Sequence, residues 1–186
     1  DAHFGGDWPL DGLDGIAPGE IVAAAQEAGI VGMGGAAFPT HVKLAPGPRR
    51  PVDTVIVNGC ECEPYLAADE RLMREAPLPV LAGAKLVARA VGAKRIVVGI
   101  EENKPEAIAE IRRAAAGLGI DVSVVATKYP QGAEKQLVYA LLGRVVPGGK
   151  LPLDVGVVVS NVATAAALAR AVLRNAPLTH RVMTVA

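Results

Sequence analysis

In the stretch GIVGMGGAAFPTHVK, residues 29–43, Gly32, Gly34 and Gly35 precede a Phe-Pro-Thr turn and Lys43. Glycine lets backbone N–H groups come close to a ligand, and a lysine adds a cation suited to phosphate. Gly32, Gly34 and Ala37 match the G-x-G-x-x-G/A spacing of a dinucleotide fingerprint. That fingerprint, however, follows a strand and opens a long helix. Here a helical pattern precedes it, Pro39 interrupts it, and no acidic residue ends a strand about twenty residues on. Beside the fingerprint stand two other readings: a plain glycine turn, and a cradle for a flat or phosphorylated ligand.

Three more polar stretches could do chemistry. NGCECEP, 58–64, offers Asn58, Glu61 and Glu63, whose carboxylates suit ribose hydroxyls or an amide; its other reading is a solvated acidic turn. Cys60 and Cys62 are too few for an iron–sulfur cluster, which takes about four thiolates. No histidine lies near them in sequence, so a zinc site is weakly supported and the cysteines read as structural. YPQGAEKQL, 129–137, sets Gly132 and Glu134 at a helix start, where the helix dipole favours an acid and N–H groups can face a ligand. NVAT, 161–164, puts Asn161 and Thr164 at another helix start, which is also a plain N-cap.

The elements that position these loops alternate. Helical patterns cover 18–29, 68–76, 79–92, 104–119, 132–143 and 163–174, several with Pro early and Gly late. Apolar β-branched runs at 52–59, 95–101, 121–129 and 154–161 read as strands. Residues 180–186 read as a final extended segment, and 1–17 as an irregular, loosely held lead-in. Such alternation predicts one α/β domain over 18–186, Rossmann-like and three-layered, with a mostly parallel sheet. In such sheets ligands sit beyond the carboxyl ends of the strands, which is where NGCECEP, EENKP, KYPQGAEKQ and SNVATA fall.

Composition narrows the classes. Lys plus Arg and Asp plus Glu both count 19, so there is no basic footprint for nucleic acid. No run reaches the roughly eighteen apolar residues of a spanning helix, and the start carries no secretory pattern. A disulfide between Cys60 and Cys62 would close a strained ring, so a reducing, cytoplasmic compartment is expected. The first residue is not Met, which points to a piece of a longer chain.

Taken in order, GIVGMGGAAFPTHVKL, VNGCECEPYLAADERLMRE, GIEENKPEAI, KYPQGAEKQLVYALLGRVVPGGKLPLDVGVVVSNVATA and PLTHRVMTV resemble the C subunit of the Rnf ion-translocating electron-transport complex. They resemble more distantly the NADH- and FMN-binding subunit of respiratory complex I. The resemblance runs from about residue 18 to the end, and it makes the glycine stretch an atypical flavin-phosphate loop. It implies an FMN/NADH-binding domain in which Gly32, Gly34, Gly35 and Lys43 hold FMN. Asn58 and Glu61 would line the flavin site, and Glu63 would meet the nicotinamide end of NADH. Tyr129, Gly132 and Glu134 would form a second wall, with Asn161 and Thr164 completing the phosphate site. Ala37, Ala133 and Ala163 stand where glycine is expected, and Cys60 where the Rnf relatives carry a small residue.

The implied activity is electron transfer between NAD(H) and iron–sulfur centres, with no side chain acting as acid or base and no metal held by this stretch. The 4Fe-4S clusters would sit on a cysteine-rich segment outside it. Partners would be NADH/NAD and other subunits of a complex peripheral to the inner face of the cell membrane, with no nucleic acid and no membrane insertion. The family is also similar to a cobalamin reductase of bacterial microcompartments, an alternative function. A third is a non-catalytic scaffold that has lost its flavin, which the three alanines would suit.

Overall fold

A computed structural model describes residues 4–179 and 181–185. The β-branched runs form four parallel strands: β1 (Thr54–Gly59), β2 (Arg95–Glu101), β3 (Ile120–Val125) and β4 (Val157–Asn161). Their order across the sheet is β3-β2-β1-β4. The central residues of β1 and β4 are buried on both faces, as near-continuous apolar runs in a parallel sheet require. The register sets Asn58 opposite Gly99 on one side and Asn161 on the other.

Helices cover both faces, giving the expected Rossmann-like three-layer α/β fold. On one face pack α1 (Pro18–Glu27), α3 (Ala68–Glu75), α4 (Pro77–Val91), α5 (Pro105–Ala115) and α7 (Val162–Arg174). On the other, Leu137 and Val138 of α6 (Glu134–Leu142) pack on Ile56, Val157 and Val159. Pro opens α1, α4 and α5, where its missing N–H costs nothing. Gly92 and Gly143 end α4 and α6 in the left-handed conformation. The core pair α4–α7 runs backbone against backbone: a Cβ on Gly83 would fall 1.9 Å from the Ala165 carbonyl oxygen.

Several boundaries differ from the sequence reading. The third strand stops at Val125, short of residue 129, where the chain turns into a loop with a cis Tyr129–Pro130 bond. A short α2 (Thr40–Lys43) follows the glycine stretch. Residues 181–185 form no strand, and His180 and Ala186 of that segment lie outside the described residues.

The lead-in is irregular but not loose. Trp8 and Leu13 are buried, and the Arg174 guanidinium stacks 3.7 Å above the Trp8 ring. Lys85 and Arg89 of α4 donate to the carbonyls of Leu10 and Ile16. Burial of a large aromatic outweighs the lack of helix or strand, so the segment is held without being regular. Residues 1–3 lie outside the described part. No helix among the described residues is long and apolar enough to cross a membrane.

Candidate functional site

The strand order fixes where a ligand can enter. The chain runs β1, β2, β3 outward in one direction and then returns to place β4 on the other side of β1. The strand order thus reverses between β1 and β4, and their carboxyl ends are the usual ligand position of open α/β sheets. A cavity of about 210 Å³ opens there.

Its first wall is the glycine loop. An isolated antiparallel bridge between Val31 and Pro39 pinches the base, with Gly32 N–H donating to Phe38 O at 2.8 Å. Met33 N–H donates to Thr164 Oγ1 at 2.8 Å, pinning the loop to α7. Gly32 and Gly34 line the cavity. A Cβ at either would rest at ordinary contact, 3.5 Å from Phe38 O for Gly32 and 3.6 Å from Asn161 Cβ for Gly34. Neither has a positive φ. Nothing in the fold demands glycine at these two positions; what the missing side chains leave bare is backbone facing the cleft.

Lys43 crosses the cleft, donating to Glu134 Oε1 and to the Val159 carbonyl, both at 2.9 Å. Two of the three ammonium protons are thereby committed. Asn58 Nδ2 donates to Gly132 O at 2.8 Å, and Asn58 Oδ1 accepts from Cys60 N–H at 3.0 Å, so Asn58 ties the 129–132 loop to the turn after β1. Gly132 is glycine for a packing reason, since a Cβ there would lie 2.7 Å from Cys60 O. Asn161 caps α7, its Oδ1 accepting from Ala163 N–H at 2.9 Å and Thr164 N–H at 3.2 Å. The positive end of the α7 dipole thus meets the cleft.

Gly32, Gly34, Lys43, Asn58, Gly132, Glu134, Asn161 and Thr164 therefore share one cavity. The structure places four other residues apart from its lining. Gly35, at φ 113°, lies between lining residues but is not itself part of the lining. Glu63 and Tyr129 are exposed. Glu61 faces α3, where it accepts from Asp69 N–H at 2.8 Å and Glu70 N–H at 2.9 Å and stands 3.8 Å from Lys104 Nζ. A carboxylate on free N–H groups at a helix start gains dipole and hydrogen bonds together, which outcompetes pointing into an open cleft.

Residues that sequence reasoning missed lie behind the lining. Asp69 Oδ2 accepts from Asn161 Nδ2 at 2.5 Å, and burial plus the Glu61 charge push its carboxyl up to about 7. Glu101 is fully buried and neither carboxylate oxygen makes a well-formed hydrogen bond, the Lys128 backbone being its one weak donor, while Gln131 Oε1 has no hydrogen-bond partner among the described residues. Burial pushes the Glu101 carboxyl up, while Lys104 pulls it down. Burial, with the Glu101 charge adding, pushes the Cys60 thiol up to about 12, so it stays a neutral, unreactive thiol. No cluster of three or more metal-ligating side chains occurs among the described residues. The only sequence signal for this layer was Asp69 opening an amphipathic helix eight residues after Glu61.

Of the three alanines at expected glycine positions, one is strained. Ala37 sits at φ 49°, a left-handed conformation that disfavours a side chain. Ala133 is extended at φ −63°, and Ala163 lies in the first turn of α7, where alanine is at ease.

Residues 25–170 match the model of the Nuo51 FMN-binding domain. The chain is 52% identical over 166 residues to the C subunit of the proton-translocating ferredoxin:NAD(+) oxidoreductase complex of Clostridium ljungdahlii, covering 89% of this chain and 36% of that protein. It is 47% identical over 177 residues to the C subunit of the Na(+)-translocating ferredoxin:NAD(+) oxidoreductase complex of Acetobacterium woodii, covering 95% of this chain and 40% of that one. With the C subunit of the ion-translocating oxidoreductase complex of Erwinia tasmaniensis, identity is 44% over 95% of this chain and 22% of that protein. The chain thus spans less than half the length of these curated relatives. Among solved structures it superposes on an NAD+-reducing NiFe-hydrogenase in the H2-reduced state with a TM-score of 0.74 and 27% identity, covering 91% of this chain and 35% of that one. The chain belongs to the Nuo51 FMN-binding domain family.

Proposed function

We propose that this chain holds FMN in the β1–β4 cleft and serves as the flavin domain, residues 18–186, of an Rnf-type subunit that moves electrons between NAD(H) and iron–sulfur centres. The observation that carries the reading is the bare backbone of Gly32 and Gly34, which no packing or backbone need of the fold explains, set against the α7 N-terminus and Lys43. When bound, FMN would supply the chemistry, exchanging a hydride with a nicotinamide and single electrons with metal clusters. The residues present fit such a group: glycine backbone for close approach, the α7 dipole and one uncommitted Lys43 proton for a phosphate.

In this reading the protein's own side chains act by position. Asn58 holds the 129–132 wall at its distance from the β1 turn, and Thr164 holds the glycine loop. Gly35 would shape that loop's turn. Glu61 would act indirectly, by fixing α3 behind the site. Glu63 and Tyr129, both exposed, are the candidates for meeting NAD(H). The 4Fe-4S clusters, the other subunits and the seat on the inner membrane face belong to the rest of the assembly.

Titrating FMN into the purified protein tests this, read by quenching of flavin fluorescence and then by anaerobic bleaching with NADH. Gly34→Ala should fold normally, since its methyl meets only ordinary contacts, yet bind FMN at least about tenfold more weakly, roughly 1.4 kcal/mol. Failure of the unaltered protein to bind FMN, or equal binding by the alanine variant, would count against the proposal.

A further inference from the structure

Behind the cleft, three carboxylates, Glu61, Glu70 and Glu101, gather near Lys104, and a fourth, Asp69, lies beside Glu61. Lys104 Nζ bonds Glu70 Oε2 at 2.8 Å and stands 3.8 Å from Glu61 Oε2, with its side chain 10% exposed. Glu61 also holds two backbone N–H groups of α3. Glu101 lies close enough to feel both Lys104 and Glu61. Asp69 has a poor donor set: among the described residues its carboxyl receives the neutral Asn161 amide, at 2.5 Å. The N–H groups that would otherwise favour its charge at the α3 start are already taken by Glu61. Lys104 serves Glu61 and Glu70, so Asp69 is left beside the Glu61 charge with an amide as its donor, an arrangement that disfavours its ionised form.

Asp69 is also the one that reaches the cleft. Asn161 turns its Oδ1 to the α7 N–H groups and its Nδ2 to Asp69, so Asp69 fixes which way the amide faces. Thr164 of the same capped turn accepts from Met33 of the glycine loop. A line of contacts therefore runs from Asp69 through the α7 cap to the loop. We propose that Asp69 is a positioning residue that holds the Asn161 cap toward the cleft and takes up a proton when a phosphate-bearing ligand docks at the α7 N-terminus. This rests on the reading of the cleft given above.

The coupling follows from charge. An anion arriving beside Asn161 disfavours the ionised form of Asp69 on the amide's other side. By reciprocity, a protonated Asp69 strengthens anion binding. The groups around it sharpen rather than cancel the effect. The β1 turn presents Glu61 and the neutral Cys60 thiol, and the β2 end presents Glu101. From the N-cap of α5 comes Lys104, shared between Glu61 and Glu70, and from α5 itself Glu106, which Arg74 of α3 pairs. Lys85 and Arg89 of α4 are spent on lead-in carbonyls, and Arg174 of α7 lies over Trp8 at the helix's far end.

The test is calorimetric titration of the whole protein with FMN, slightly above neutral pH, in buffers of different ionisation enthalpy. Riboflavin, which lacks the phosphate, serves as a second probe. Unaltered protein should take up a sizeable fraction of a proton per FMN, roughly 0.3–0.5, and less with riboflavin. Asp69→Asn keeps an acceptor for the Asn161 amide but cannot titrate, and its extra uptake should vanish. Glu101→Gln should leave the uptake unchanged. Independently of any variant, infrared difference spectra of the unaltered protein should gain a protonated-carboxyl band on FMN binding. Equal proton counts in the unaltered and Asp69→Asn proteins, loss of uptake in Glu101→Gln instead, or no new carboxyl band would each overturn the inference while FMN binding itself stands. No FMN binding by any form would overturn the functional reading and this inference with it.

Discussion

Gly83→Ala should damage this protein even though it places the best helix former in the middle of a helix. Gly83 lies in α4 where that helix crosses α7, and a Cβ there would fall 1.9 Å from the Ala165 carbonyl oxygen and 2.3 Å from its carbonyl carbon. A close carbon–oxygen contact needs about 3.3 Å. The obstacle is backbone, so no rotamer can relieve it, and the helices must part by more than about 1 Å. A gap of that size forfeits about half or more of each dispersion contact along the seam. The residues three or four from Gly83 on α4, Val80 and Val87, and from Ala165 on α7, Leu168 and Ala169, are all buried. Overpacking costs about 1–3 kcal/mol and a backbone collision belongs at the upper end; the helix-propensity gain offsets up to about 1 kcal/mol. The expected net loss is about 2 kcal/mol. In urea, with m near about 2 kcal/mol/M, the midpoint should fall by about 1 M with m unchanged. Gly19→Ala in the first turn of α1, where nothing lies within 4 Å, meets no packing obstacle and should stabilise by a few tenths of a kcal/mol. If both variants stabilise alike, α4 and α7 do not meet as described. The cleft would then lose its basis too, because α7 carries Asn161 and Thr164 to it.

Ala37→Gly should stabilise the protein by about 0.5–1 kcal/mol, the left-handed strain of about 1–2 kcal/mol less the extra freedom of glycine in the unfolded chain. Thermal unfolding would read it, and an unchanged or lower melting temperature would contradict the strain at φ 49°. Asp69 predicts a pH dependence of stability. Its carboxyl is raised from 3.8 to about 7, so its contribution is fully present below about pH 4 and is lost as pH rises through 7. The ceiling is about 4 kcal/mol, from 1.36 kcal/mol per unit, and local relaxation lowers it. Asp69→Asn should therefore gain on the unaltered protein between pH 5 and pH 9 in urea unfolding series; parallel curves would refute a raised Asp69.

Some of this was open to reading from the chain and some was not, for identifiable reasons. Strand interiors such as Thr-Val-Ile-Val at 54–57 and Val-Val-Val at 157–159 carry their own burial pattern, and Pro18, Pro105, Gly92 and Gly143 mark helix ends by local sterics. Because ligand loops follow strands in such folds, the stretches carrying Asn58, Gly132 and Asn161 could be gathered to one edge before any coordinates. Rotation of a side chain within a loop is not local, however. Glu61 turned toward α3 because Asp69 and Glu70, eight and nine residues on, offered free N–H groups. Gly132 owes its identity to Cys60, seventy-two residues away. Trp8 was hidden for the same reason, since an irregular segment with Phe4 and Trp8 as its aromatics shows no period, and its burial under Arg174 is what holds it.

The cleft's polar side chains share a property that bears on how it works. Lys43, Asn58, Asn161 and Thr164 each already have a partner within the protein. Lys43 makes the point most clearly. Its pair with Glu134 is 33% and 44% exposed, so it adds little to stability. Its bond to Val159 O satisfies a carbonyl on β4, the edge strand of the described sheet. The lysine therefore stands across the cleft because the sheet edge and α6 hold it there. A ligand need not order a long side chain on arrival, and it avoids the roughly 0.5–1.5 kcal/mol that immobilising one costs. The same holds for the amide of Asn161, locked from behind by Asp69. On the proposed reading, affinity would come from bare backbone, a helix end and charges fixed before the ligand arrives, and the layer behind the lining would act on binding by fixing them.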